Sequence, residues 1–484
     1  MDKDDYYTVE EKNSEIWSNI TGFGRMNRYN QQVNLNYTIP VNKIPLLDWV
    51  TASARYQGTY TWTASARSIQ DIMGNTIENS NSKQINGQFK FTTLYNKIGY
   101  LKKLNQPKRP SSKKTPATRT SNAQIKNQQK VADSTKQDEG PSVARVIGDG
   151  ILRFAMLIRD GRISYTETNG TLLPGVTFTP GMIGNDFNLS APGIGFVFGL
   201  QDDIRTRAAE GHWLTEDTLF NGTFATKYTT SLNLGLTLEP IRDLKIDLTG
   251  TRTYSLDQSE YFKNFDGDPQ TVERGSFSIS YITIGTAFSG IRDDNTSEVY
   301  ERMKEYRLDI ARRLAEANPN WLADPQWDSL GFPLGYGQNQ QEVLHYAFLA
   351  AYGNKSARDV ATNAFPKIPL PNWRITYKGL MSIDFIKEYL KDITLSHTYR
   401  STYNVGSFSS NVLYSEVNGA PAARDASNNY IPELQITQIT ITEQFVPLFG
   451  VDMTWKNSML TRIEFKKTRN LSLSFSNGQV TEVA

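Results

Sequence analysis

Polar and apolar residues alternate along much of this chain, with a period of two. In residues 225–240, ATKYTTSLNLGLTLEP, the even positions hold Tyr228, Leu232, Leu234, Leu236 and Leu238, with Thr230 as a gap. Lys227, Thr229, Ser231, Asn233, Gly235, Thr237 and Glu239 take the odd positions. The next stretch sets Leu244, Ile246, Leu248 and Tyr254 against Asp243, Lys245, Asp247, Thr249, Thr251 and Thr253, with Arg252 breaching the apolar row. A turn at Pro240–Ile241–Arg242 makes the two a hairpin with long arms. Similar rows are Val33/Leu35/Tyr37/Ile39, the even positions from Val50 to Trp62, Ile85/Phe89/Phe91/Tyr95 and Phe277/Ile279/Tyr281. Later come Trp373/Ile375/Tyr377, Leu395/His397/Tyr399/Tyr403/Val405, Val451/Met453/Trp455, Ile463/Phe465 and Leu471/Leu473/Phe475.

A soluble antiparallel sheet with one covered face alternates in the same way. Three features favour a membrane barrel. The arms run about 10 or more residues, the length a tilted transmembrane strand requires, where globular strands average about 5–6. Tyr, Trp and Phe recur near strand ends, and the polar rows carry charges inside the strand. The expected fold is all-β: a section of a very large antiparallel transmembrane β-barrel with a small helical insertion and long loops. Lys245, Asp247, Arg400 and Asn233 are expected to face a wet lumen, and Leu232, Leu234, Leu236, Ile246 and Leu248 to face lipid.

Three regions interrupt the strands. Residues 101–140 hold ten Lys/Arg against three Asp/Glu and no aromatic residue, which predicts a disordered basic linker over 101–145. Residues 169–199, NGTLLPG and onward, are rich in Gly and Pro and read as a folded loop constricting a pore or as a long connection. In 292–365, Val299, Met303, Tyr306, Ile310 and Leu314 recur at helical spacing, and NQQEVLHYAFLAAYG reads as a second helix capped by Gly353. This is the expected extramembrane helical insertion, with His345 a buried or interfacial histidine. Barrel strands are expected over 1–100, 146–291 and 366–484.

Composition narrows the chemistry. The 484 residues carry 52 Lys+Arg and 50 Asp+Glu, so no net charge calls for nucleic acid as a partner. There is no cysteine, which removes disulfides and thiolate sites, and the three histidines lie far apart in sequence. The longest apolar runs fall well short of the roughly 18–20 residues of a membrane helix. Gly193, Gly195 and Gly199 lack the context of a dinucleotide site, and acidic pairs such as Asp202–Asp203 read as turns. No catalytic, metal or cofactor residues are assigned, and no enzyme activity is expected. The N-terminus lacks a signal-peptide pattern and the end, LSLSFSNGQVTEVA, is expected to leave a strand unpartnered; both suit the later part of a longer protein.

Several long words resemble the SprA/Sov family of gliding-motility and secretion proteins of the Bacteroidetes. They are APGIGFVFGLQDDIRTRAAEGHWLT (191–215), LNLGLTLEPIRDLKIDLTGTRTYS (232–255), FPKIPLPNWRITYKGL (365–380) and LSHTYRSTYNVGSF (395–408), with NGTLLPG at 169–175. The similarity covers roughly 150–480. It implies a giant outer-membrane barrel, the protein-conducting channel of the type IX secretion system, located in the cell outer membrane. Its implied partners are outer-membrane lipid, secreted cargo with a C-terminal signal domain, a smaller cargo-shuttle barrel and a plug protein. Rival readings are a TonB-dependent or porin-type barrel for small solutes and a soluble surface β-protein such as an adhesin.

Overall fold

The computed structural model describes residues 8–21, 24–105, 152, 156–261, 271–290, 297–476 and 478–483. Six long strands pair antiparallel in sequence order: β1 (Arg28–Ile39), β2 (Val50–Thr63), β3 (Asn75–Lys90), β4 (Ile158–Val176), β5 (Thr223–Ile241) and β6 (Leu244–Tyr261). The next position in the sheet is built from two pieces. β7 (Val272–Ser280) pairs with Arg252–Ser259 of β6, and β8 (Asn372–Tyr377) pairs with Leu244–Thr249. Both also pair with β9 (Leu390–Ser410). β10 (Glu416–Val417) and β11 (Ala420–Pro421) form a small separate hairpin, and β12 (Leu434–Ile436) rests on the end of β9. The main path continues through β13 (Gln438–Trp455), β14 (Leu460–Ser474) and β15 (Gln479–Val483), so β1 and β15 are its edges.

The strands are long, 19 residues in β5 and 21 in β9, well beyond the minimum of about 10 that the sequence rows predict. The β5–β6 turn tightens to Arg242–Asp243, because Ile241 and Leu244 still pair across the ladder and Asp243 accepts a left-handed backbone (φ 66°). Other expectations need correction. α1 (Val9–Thr21) is helical within the expected strand region. Phe91 and Tyr95 do not continue the row of Ile85 and Phe89: the strand ends at Lys90 and α2 (Phe91–Lys97) follows. α3 (Gly99–Asn105) occupies the start of the expected basic linker, and residues 106–145 of that linker lie outside the described residues. Asn169–Gly175 belongs to β4 and not to a loop. The end of the chain holds the last residues of β14 and the strand β15, which pairs with Asn470–Ser474 of β14 and is itself a sheet edge.

Connections sort by end. The turns 242–243 and 456–459 lie at one end, the turn end, along with 40–49, 378–389 and the helices that follow β3. At the opposite, loop end lie 64–74, 177–222 and 411–433. The segment 281–371 departs from the middle of the sheet and carries α4 (Glu298–Glu316) and α5 (Gln341–Tyr352).

Two hydrophobic clusters form where these long segments fold back on the sheet. Residues 177–222 bring Phe196, Val197, Ile204, Trp213 and Phe220 onto Tyr60, Trp62, Ile77 and Leu173. The 281–371 insertion brings α4 and α5 onto Phe277, Ile279, Tyr403, Val405, Ile439, Ile441, Leu471 and Leu473. Each fully buried Leu, Ile or Phe contributes about 1.5–3 kcal/mol. Every residue of α5 from Val343 to Tyr352 is buried, so its apolar residues surround the helix, and α4 covers it.

His345 is one of them. Its Nε2 lies 2.6 Å from the Tyr403 hydroxyl, and burial pushes its pKa down to about 3. The folded imidazole is therefore neutral, while the unfolded one takes up a proton below about pH 6.5. Stability from this group is complete above that pH and falls as pH drops toward 3, by about 2 kcal/mol at pH 5. Denaturant titrations at pH 7 and pH 5 will show this loss, and His345→Gln will flatten it. Equal pH slopes in the two proteins would show that His345 is not held neutral.

Candidate functional site

Directly opposed residues of an antiparallel ladder share a face, so the register assigns each row. Leu234 faces Ile163 on one side and Gly250 on the other; Leu236 faces Leu248 and Leu238 faces Ile246. Ile246 in turn faces Ile375, and Ile375 faces His397. Leu232, Leu234, Leu236, Ile246 and Leu248 therefore share the apolar face, the same face that both long segments cover near the loop end. Asn233, Lys245, Asp247 and Arg400 share the other.

That polar face is the hollow side of the curved sheet. A cavity of about 750 Å³ is lined from Gln88 in β3 through Arg162, Lys245, Asp247, Arg374 and Arg400 to Glu464 in β14. Strands this far apart border one cavity because the sheet bends around it. A second cavity of about 430 Å³ on the same face takes in Asn233. Some charges in the hollow are paired locally. Lys245 Nζ lies 2.8 Å from Asp247 Oδ2, Thr237 donates to Asp247 at 2.7 Å, and Arg462 lies 2.6 Å from Asp452. Among the described residues no group of three or more His, Cys, Asp or Glu is placed to hold a metal ion.

The apolar face divides into two zones. Toward the loop end it is covered. Toward the turn end it is less covered: Leu35 (61 % exposed) and Ile85 (53 %) on one flank and Phe465 (62 %) on the other are exposed, and Leu232, Leu234, Leu236, Ile246 and Leu248 between them are partly buried. On β3 the less covered band runs from Lys83 to Phe89, about 20 Å of strand at ~3.3 Å per residue. Aromatic residues frame it. At the turn end Trp49 lies 5.0 Å from Phe91, which lies 6.4 Å from Tyr95, and Phe385 lies 5.3 Å from Tyr389. At the upper border stand Tyr56, Tyr165 and Tyr228, the last 6.4 Å from Tyr254. Lys83 and Glu167 meet there at 3.4 Å. No helix among the described residues is long and apolar enough to cross a membrane, which leaves strands untouched by that criterion.

Sequence rows did not reveal how the covered zone is held. Residues 196–200 lie on β2 and β3, where Asn79 donates to the carbonyls of Phe196 (3.1 Å) and Leu200 (2.9 Å), Asn81 to that of Gly199 (2.6 Å), and Tyr56 to that of Phe198 (2.7 Å). Gly58 makes this approach possible, since a Cβ there would meet the Phe198 carbonyl. The loop that could have constricted a pore thus lies on the convex side, away from the hollow. The insertion is fixed by a buried network. Arg469 Nη2 lies 2.9 Å from Glu443 Oε2, with the two side chains 3 % and 1 % exposed. Thr283 and the Tyr399 hydroxyl donate to Glu443 Oε1 at 2.7 and 2.9 Å, and Arg469 Nη1 donates to the Thr286 carbonyl at 2.6 Å.

Together the two faces define an antiparallel β-protein whose curved sheet has a polar hollow and a framed apolar outer band. Comparison with protein-family models finds no match, and neither does comparison with the curated proteins.

Proposed function

We propose that this chain forms part of the wall of an outer-membrane, protein-conducting channel, the type IX secretion translocon that the SprA/Sov resemblance implies. The observation that carries the proposal is the pairing of a polar hollow with a less covered apolar band, bordered by aromatic rows on both sides. Membrane barrels present such a band, about 25 Å tall, between aromatic girdles. In this reading Leu232, Leu234, Leu236, Ile246 and Leu248 meet lipid, while Asn233, Lys245, Asp247 and Arg400 line the passage. Long loops of such barrels lie outside the cell and short turns lie in the periplasm, so the covered loop end faces outward. No bond is made or broken. The wall contributes a wet surface on which charges of both signs are interspersed, some of them paired as Lys245 is with Asp247.

The experiment is photocrosslinking in secreting cells, with a benzophenone side chain at Arg400 or at Leu234. Adducts with exported proteins bearing a C-terminal signal domain are expected from Arg400 and not from Leu234. Cargo adducts at neither position during active secretion would favour a small-solute barrel or a surface β-protein.

A further inference from the structure

We infer that residues 194–200 form a hydrophobic shelf on the outside of the wall that inserts into the outer leaflet of the membrane; this rests on the membrane reading above. The shelf has two sides. Phe196 and Val197 point inward, with Phe196 meeting Tyr60 edge-on at 6.1 Å. Ile194 (54 % exposed), Phe198 (36 %) and Leu200 (51 %) point away from the core. These three stay together because the Phe198 N–H donates to the Ile194 carbonyl (3.1 Å) and the Leu200 N–H to the Gly195 carbonyl (2.9 Å).

Position selects the occupant. Along β2 the order Tyr60, Gly58, Tyr56 runs from the covered zone toward the less covered band, and the shelf descends in the same order. Phe196 meets Tyr60, and the Phe198 carbonyl reaches Gly58 and the Tyr56 hydroxyl. Tyr56 is paired across the ladder with the exposed Leu35 of the band. The exposed side of the shelf is therefore continuous with the surface assigned to lipid.

Charge agrees. Between 177 and 201 the only ionisable residue is Asp186. Its carboxylate is occupied by the Ser190 hydroxyl (2.6 Å) and the N–H groups of Ser190 (2.7 Å) and Ala191 (3.2 Å). Charges return only beyond the shelf, at Asp202, Asp203, Arg205 and Arg207. Thickness agrees as well. The less covered band of about 20 Å along a tilted strand is thinner than the roughly 25 Å band of membrane barrels, and the shelf extends it upward over β2 and β3.

The chain has no cysteine, so single spin labels can be introduced without background. Ile194→Cys, Phe198→Cys and Leu200→Cys are labelled in the full chain and reconstituted in dimyristoylphosphatidylcholine vesicles, with Leu234→Cys as the band reference and Asn428→Cys as the water reference. Collision with dissolved oxygen should exceed collision with a water-soluble nickel chelate at 194, 198 and 200, as at 234, with the opposite at 428. Nickel access at the shelf with oxygen access at 234 overturns the shelf and leaves the wall reading standing. Exclusion of both reagents at the shelf shows a protein partner, such as a second copy, and also overturns it. Nickel access at 234 itself overturns the wall reading and the shelf together. Ile194 and Leu200 are each about half exposed, so labels there leave the packed side of the loop intact even if the one at 198 disturbs it.

Discussion

On the proposed wall reading, replacing Leu234 by lysine lowers the stability of the vesicle-reconstituted protein by about 2–4 kcal/mol, the cost of a charge in a lipid-facing band. Its neighbour gives the contrast: on the same reading Asn233→Lys changes stability by less than about 0.5 kcal/mol, since Asn233 is exposed on the polar face. The two residues are adjacent on one strand and receive the same new side chain, so the face is the main difference between the sites. Urea titration of both variants in phospholipid vesicles measures the difference. Equal losses at the two sites would mean that both faces meet the same solvent, and the band would then be an ordinary surface.

The second large effect is expected at the buried ion pair. Arg469→Met leaves Glu443 charged and without its cation in a site sealed by the insertion, at a cost of about 3–5 kcal/mol. The partner change works in the opposite direction. Glu443→Gln in the Arg469→Met background removes the stranded charge, and most of the loss should be recovered, because a buried pair replaced as a unit is often nearly neutral. Unfolding followed by proteolysis of the insertion measures the single and the double variant. If the single variant loses less than about 1 kcal/mol, water reaches Glu443 and the pair is not sealed.

Much of the wall can be read directly from the sequence, because a period of two is a property of the backbone and the rows in β5, β6 and β9 are nearly unbroken. Helices α4 and α5 are legible for the same reason at a different period, and Gly353 closes the second. The failures share a cause. Phe91 and Tyr95 fit a period of two by accident in a stretch where the backbone has already turned helical. Asn79 and Asn81 sit in an apolar row and look like noise; they are polar because each satisfies carbonyls of a segment more than a hundred residues away. Glu443 breaks the apolar row of β13 with a single charge, Arg469 follows Lys467 in that of β14, and Glu443 and Arg469 stand directly opposite one another in the ladder. That signal is present in the sequence but needs the register of β13 and β14 to be seen. The covering of half the apolar face is a tertiary fact, which no local pattern carries.

The two-piece strand between β6 and β9 also constrains the order in which the molecule assembles. Ser280 and Asn372 are neighbours, with the Leu370 N–H donating to the Ser280 carbonyl at 3.1 Å and the Ser280 hydroxyl to the Leu370 carbonyl at 2.6 Å. β7 and β8 run in the same direction along β6, so residues 281–371 are a detour from a single strand. An unfolded detour would have to be closed at an entropic cost before β8 could add to the ladder. If α4 and α5 dock on β7 first, the chain ends of the detour are already held side by side, and β8 joins at little further cost. The insertion would then be a folding template for the seam it interrupts, and the later half of the sheet would zip only after its arrival.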